Sequence, residues 1–235
     1  GSLREVEENS SVLDLANLIS RNLGKNAIVG EVNNTLVDLS HKLKDNDEVN
    51  ILTTDNEKAV EVLRHSISHI MAQAVKRLYK DAKLAIGPSI ENGFYYDFDI
   101  EKPLTTEDLE KIEQEMNNII NENLKFERMD VLREEALNLM EEKNEPYKVE
   151  LINDLPEGEK ISLYKQGDYV DLCRGPHIPS TKYVKAFKLT SVAGAYWRGN
   201  EKNKMLQRVY GVAFKDKTSL ETYLHNLEEA KTRDH

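Results

Sequence analysis

The sequence has one cysteine, Cys173, in 235 residues. A lone cysteine excludes an intramolecular disulfide and fits a reducing compartment, so the cytoplasm is the expected location. Whatever chemistry Cys173 shares in, its partners are not cysteines. No apolar run approaches the roughly 20 residues needed to span a bilayer, and no signal peptide opens the sequence, so no membrane partner is expected. Internal repeats and low-complexity tracts are absent. Positive charge is scarce: 32 lysines and arginines face 42 acids, a net charge of -10. That balance argues against a general nucleic-acid binder, because an acidic surface repels a polyanion. What is present, 39% hydrophobic and 31% charged residues, is the composition of a folded soluble protein. The length allows one sizeable domain plus a small one.

The shortage of positive charge is uneven. Between Lys182 and Arg208 stand seven basic residues (Lys182, Lys185, Lys188, Arg198, Lys202, Lys204, Arg208) against one acid, Glu201. That segment is +6 and the remainder -16. It reads either as a solvated edge or as a surface for a polyanionic substrate.

The first ~53 residues form a compact unit by pattern. Ser11 to Asp14 resembles a capping box opening a helix through Leu23, which Gly24 is placed to end. Strands Ala27–Val32 and Thr35–Leu39 follow, joined at Asn33-Asn34, and Glu48–Thr53 closes the unit. A helix capped in the Thr54–Glu57 pattern is expected to run to about Tyr79. A hairpin over Leu84–Ile90 and Phe94–Ile100 turns at Asn92-Gly93, and Thr105 or Thr106 caps a long helix to about Leu124. Strand-like runs return at Tyr147–Ile152, Ile161–Tyr164, Tyr169–Leu172, Tyr183–Leu189 and Met205–Phe214. Ser219–His235 reads as a helix. The expected class is α+β: a small sheet domain over residues 1–54, an antiparallel-sheet domain with packed helices over 55–215, and a connecting helix over 216–235.

Two spacings carry chemistry. His65-Ser-Ile-Ser-His69 puts two imidazoles on one helical face, about a turn apart. The apolar stripe Val60, Leu63, Ile67, Ile70, Ala74, Leu78 is centred almost opposite them, at about 100° per residue. The pair therefore faces either solvent or a cleft, and Lys58 and Lys76 on the same face favour solvent. In Asp171-Leu-Cys-Arg-Gly-Pro-His177, Gly175-Pro176 rules out a helix interior, so Cys173 and His177 belong at a strand end and the turn after it. Together His65, His69, Cys173 and His177 offer four nitrogen and sulfur ligands, a set that suits tetrahedral zinc. The same four suit a metal-free, water-activating site with a histidine as general base.

Several longer strings carry a resemblance. They are the two above together with Ala85-Ile-Gly-Pro88, Asn92-Gly-Phe-Tyr-Tyr-Asp97, Ala193-Gly-Ala-Tyr-Trp-Arg-Gly199 and Asn203-Lys-Met-Leu-Gln-Arg-Val-Tyr-Gly211. In order along the chain, they resemble the N-terminal half of bacterial threonyl-tRNA synthetases. Leu3–Thr53 resembles the TGS domain, a ubiquitin-like β-grasp unit. The stretch from about Asn56 to Lys215 resembles the editing domain, shared with alanyl-tRNA synthetases and free-standing alanyl editing proteins.

The resemblance implies hydrolysis of the ester of mischarged seryl-tRNA(Thr) by a water nucleophile, with the tRNA acceptor end as partner. It places His65, His69, Cys173 and His177 around the pocket. It makes Lys148 and Asp171 the groups tied to water activation and amino-acid binding, and sets Tyr96 near the terminal adenosine. Arg174, Lys182, Lys185, Arg198, Lys202 and Lys204 are the expected tRNA contacts. No cofactor is expected for editing, although the alanyl relatives fill the equivalent four positions with zinc. The synthetic and anticodon-binding domains are the expected partners in the longer parent, a homodimer, while this length of chain is expected to be monomeric. The rival readings are a tRNA-binding module without activity, an alanyl-type zinc-dependent deacylase, and an unrelated protein with a structural zinc.

Overall fold

Helix α1 (Val12–Ile19) starts where the sequence supplies a reciprocal cap: the Ser11 hydroxyl accepts from the Asp14 amide, and the Asp14 carboxylate accepts from the Ser11 amide. The expected single helix to Leu23 is instead two. Ser20 is extended (φ -164°) and its hydroxyl caps α2 (Arg21–Asn26) through the Leu23 amide, so Gly24 lies inside a helix rather than after one. Serine competes well for a cap and poorly for a helix interior, which is why the break falls there.

The computed structural model describes residues 2–233 and divides into two compact units. The smaller takes the chain through Leu63 together with Gly175–Pro179; the larger takes Arg64–Arg174 and the chain from Ser180 onward. In the smaller unit, β1 (Val29–Val32) lies between β2 (Thr35–Val37) and β3 (Val49–Leu52), antiparallel to both. Asn33 and Asn34 take φ 50° and 69°, the left-handed pair a two-residue hairpin needs. Val12, Ala16, Ala27, Val32 and Leu39 make the core between helices and sheet.

Helix α3 (Glu57–Leu78) begins in the smaller unit and continues through the larger. Its cap is not Thr54: the Asn56 side chain accepts from the Lys58 amide.

The larger unit has two antiparallel sheets. One combines β4 (Lys83–Leu84), β5 (Ser89–Ile90), β6 (Gly93–Asp99), β10 (Ala186–Tyr196) and β11 (Met205–Phe214), in the order β10-β11-β6-β4 with β5 also on β6. The other is β7 (Glu127–Val131), β8 (Ile161–Gln166) and β9 (Tyr169–Leu172) in that order. Between these strands come α4 (Thr106–Glu122, capped by Thr105), α5 (Arg133–Glu142) and α6 (Pro146–Asp154).

Three expectations change here. Residues 147–152, read as a strand, form α6: Pro146 sits at its start, and Lys148 and Ile152, four apart, are its buried positions. A short apolar run does not by itself distinguish strand from buried helix. The hairpin pairs Ile90 with Gly93, so Glu91-Asn92 turn and Gly93 opens the strand. A Cβ on Gly93 would stand 2.0 Å from the Gly211 carbonyl oxygen, so the glycine serves close strand approach, not the turn. Strand β10 runs on to Tyr196, paired with Met205, through an Ala- and Gly-rich stretch of low strand propensity. Helix α7 covers Lys217–Arg233; the last two residues of the expected Ser219–His235 helix lie outside the described residues.

Candidate functional site

From Val62 to Val75 helix α3 is buried on every face except at His65, which is half-buried. The solvated reading of the histidine face is therefore corrected. The phase argument placed the histidines away from the apolar stripe, but other parts of the larger unit cover that side as well. The Arg64 guanidinium donates to the Ala213 carbonyl on β11 at 2.8 Å, and the Gln73 amide donates to the Gln166 carbonyl on β8 at 3.1 Å. A helix enclosed this way needs polar partners for its polar side chains, and those partners make the site.

The centre is Asp171 on β9, 1% exposed. Its Oδ1 lies 2.8 Å from Lys148 Nζ on α6, and its Oδ2 lies 3.1 Å from His69 Nδ1 on α3. The hydroxyls of Tyr96 on β6 and Tyr169 on β9 donate to Oδ2 at 2.8 and 2.7 Å. One carboxylate thus collects donors from four elements. Burial alone would raise the Asp171 carboxyl, but Lys148 and then His69 outweigh it and hold the group well below the usual carboxylate range. Burial likewise works against a charged His69, but Asp171, followed by Cys173, pushes it up to about 9. Burial and then Asp171 keep both tyrosines as neutral phenols far above their ordinary range. The result is a row of alternating charge, Lys148 ammonium, Asp171 carboxylate and His69 imidazolium.

Beside this row stands His65, its Nε2 3.1 Å from Cys173 Sγ. The His65 and His69 rings meet edge to face, 4.8 Å between centroids. Cys173 follows the last residue of β9, the strand-end position the Gly-Pro turn implied. The ligand atoms of His65, His69 and Cys173 lie within 4.8 Å of one another. Two nitrogens and a sulfur are donors zinc accepts, and a carboxylate on Nδ1 is the contact that commonly orients a zinc-bound imidazole. These residues fit a metal, and the His65–Cys173 hydrogen bond accounts for their closeness without one. His177 is buried and falls in the segment assigned to the smaller unit, where its amide donates to Asp38 Oδ1 at 2.9 Å.

Tyr96 is enclosed, its ring 1% exposed, with its hydroxyl committed to Asp171. Tyr169 was quoted in the sequence string without a role. Its place two residues before Asp171 on one strand, hence on the same face, is the signal that would have found it. Arg174 is exposed and ion-paired to Glu159.

The basic segment is less bare than its sequence. Lys188 lies on Glu113, Lys204 on Asp99 at 2.8 Å, Arg198 on Asp154, and Arg208 makes a two-pronged pair with Asp97. For Lys182, Lys185 and Lys202 no carboxylate partner is found among the described residues.

Comparison with known proteins matches two stretches of the chain. Residues 1–53 match the TGS domain family, and residues 161–210, which include Asp171 and Cys173, match the second additional domain of threonyl and alanyl tRNA synthetases. The chain thus carries a ubiquitin-like TGS domain and a domain of the editing type found in those synthetases.

Its relatives are threonine--tRNA ligases. That of Acetivibrio thermocellus is 63% identical over 100% of this chain, that of Clostridioides difficile 59%, and that of Caldanaerobacter subterraneus subsp. tengcongensis 58%, both also over the whole chain. The chain spans 36–37% of the length of these relatives. No helix among the described residues is long and apolar enough to cross a membrane.

Proposed function

We propose that the chain hydrolyses the ester joining serine to tRNA(Thr). A synthetic site that accepts threonine cannot strongly reject serine, since one missing carbon is worth only about 1–3 kcal/mol. A second site that cleaves the smaller product restores fidelity. The observation that carries this reading is the buried Lys148–Asp171–His69 row beside the His65–Cys173 contact.

Water is the nucleophile in this reading, and His65 is its base. His65 takes a proton as the water oxygen bonds to the ester carbonyl carbon. The negative charge that develops on the carbonyl oxygen faces His69, kept as an imidazolium by Asp171. Collapse breaks the carbon–oxygen bond to the ribose, and the proton on His65 passes to the departing ribose oxygen. Serine and tRNA are the products. Lys148, its Nζ 2.8 Å from the buried Asp171 carboxylate, serves to anchor Asp171. Cys173 accepts from or donates to His65 and walls the site; water, not its thiol, attacks.

Arg174, Lys182, Lys185 and Lys202 are the residues offered to the acceptor end of the tRNA, while Arg198 and Lys204 mainly hold their own acidic partners. The synthetic and anticodon-binding parts of a threonine--tRNA ligase are the remaining partners, and this chain by itself is monomeric. Editing here needs no cofactor. If zinc does bind, His65, His69 and Cys173 hold it, and it supplies a more acidic water.

Deacylation of seryl- and threonyl-tRNA(Thr), with and without chelator, tests the reading. The serine ester is cleaved preferentially, chelator changes nothing, and His65→Ala lowers the rate by about 10²-fold at unchanged circular dichroism. Binding without cleavage would leave a tRNA-binding module. Activity lost to chelator and restored by Zn²⁺ would make it the zinc-dependent kind.

A further inference from the structure

Arg128 on β7 takes no part in the reaction above, yet its guanidinium ties three segments together. Through Nη1 it donates to the Arg174 carbonyl oxygen at 2.8 Å and to the Tyr164 hydroxyl at 3.2 Å. Through Nη2 it donates to Ser162 Oγ at 2.6 Å, and through Nε to Asp130 Oδ1 at 3.1 Å. The guanidinium carbon lies 5.8 Å from the centre of the Tyr164 ring.

The Arg174 carbonyl is a telling target. Strand β9 ends at Leu172; one bond later the backbone leaves the ladder to β8, and its polar groups must still find partners. It finds them on both sides of Cys173. The Cys173 amide donates to the Ser162 carbonyl at 3.2 Å, and one residue later the Arg174 carbonyl accepts from Arg128. Ser162 closes the loop, because its hydroxyl is held by the other arm of the same guanidinium. The planar fork of an arginine reaches several acceptors at fixed angles, which a lysine ammonium does not do.

We propose that Arg128 is a positioning residue for Cys173. By holding the Arg174 carbonyl it fixes the backbone at the strand end, and so keeps the Cys173 thiol against His65. The kinetic consequence rests on the reading of His65 and Cys173 as part of a hydrolytic site; the geometric claim does not.

Cys173 is the only cysteine, so alkylation by iodoacetamide reports on it alone. Arg128→Lys keeps the charge and loses the fork. The expected result is parental circular dichroism with the rate of Cys173 alkylation changed about threefold or more, since a thiol's reactivity follows both its charged neighbours and its exposure. On seryl-tRNA(Thr), kcat falls about tenfold with KM within about twofold, because a misplaced group costs rate rather than binding. Ser162→Ala removes one arm of the loop and moves both readouts the same way by less, which covers the case in which Arg128→Lys does not fold.

A folded Arg128→Lys protein alkylated at the parental rate overturns the proposal, as does loss of fold in both variants, which makes the role purely structural. An altered alkylation rate with unchanged kcat overturns the kinetic half. If the parent does not cleave the ester at all, the proposed function fails, and alkylation alone decides for Arg128.

Discussion

Asp171→Asn removes one charge from the centre of the site while keeping the side chain's shape, and its cost follows from what surrounds Asp171. His69 is pushed up to about 9 from an ordinary 6.5, chiefly against burial and by Asp171. At about 1.4 kcal/mol per unit, that difference is roughly 3 kcal/mol as an order of magnitude, net of the opposing burial and with Cys173's share included. Lys148 loses its partner as well, and breaking a buried pair by removing one member costs about 3–5 kcal/mol. The two figures describe overlapping contacts and are not added; a loss of about 3–5 kcal/mol is the expectation.

The pH dependence sharpens this prediction. In metal-free protein, the raised value of His69 contributes stability that is fully present below 6.5 and is lost as pH rises through about 9. The variant has no such contribution, so the gap between parent and variant narrows across that window. At the acid end, the depressed Asp171 contributes stability that is lost only as pH falls below the ordinary carboxylate range. Urea unfolding of both proteins in chelator, from about pH 6 to about pH 9.5, measures the gap, and ring NMR follows His69 directly. A gap under about 1 kcal/mol near neutral pH, or a variant whose His69 still titrates near 9, would refute the reasoning.

Further outcomes follow from other contacts. Gly93→Ala pushes a Cβ to 2.0 Å from the Gly211 carbonyl oxygen, so thermal unfolding should show a loss of roughly 1–3 kcal/mol; an unchanged melt would mean that the strands separate freely there. Ser20→Ala removes the hydroxyl that caps α2 and should cost about 1 kcal/mol, read by the same melt. Lys182→Glu with Lys202→Glu should weaken tRNA binding and lower the slope of log K against log salt by about 0.9 per lost phosphate contact. Lys204→Gln, whose parent ammonium lies on Asp99, should change that slope less.

Much of the local structure was legible because its causes are local. The reciprocal cap at Ser11 and Asp14, the Asn33-Asn34 turn, the Thr105 cap and the strand limits at Tyr169–Leu172 and Met205–Phe214 depend on residues a few positions apart. What misled was also local. Residues 147–152 carry an apolar run too short to show its period, and the Ala-Gly stretch before Tyr196 is a strand only because β11 lies beside it.

The sequence by itself determined where the candidate groups lie: the His-x3-His spacing on one helix and a cysteine at the end of a strand. It determined these through short-range geometry, since a helix repeats every 3.6 residues or so and a Gly-Pro pair ends a regular element. Only the tertiary structure decided the environment of those groups. Asp171 draws its partners from residues 69, 96, 148 and 169, and no spacing in the chain announces that four elements converge on one carboxylate. The same holds for charge: Lys182 to Arg208 is strongly basic when read in order, yet Glu113, Asp97, Asp99 and Asp154 reach it from other elements. Protonation and net field depend on distance in space and on the exclusion of water, and folding sets both.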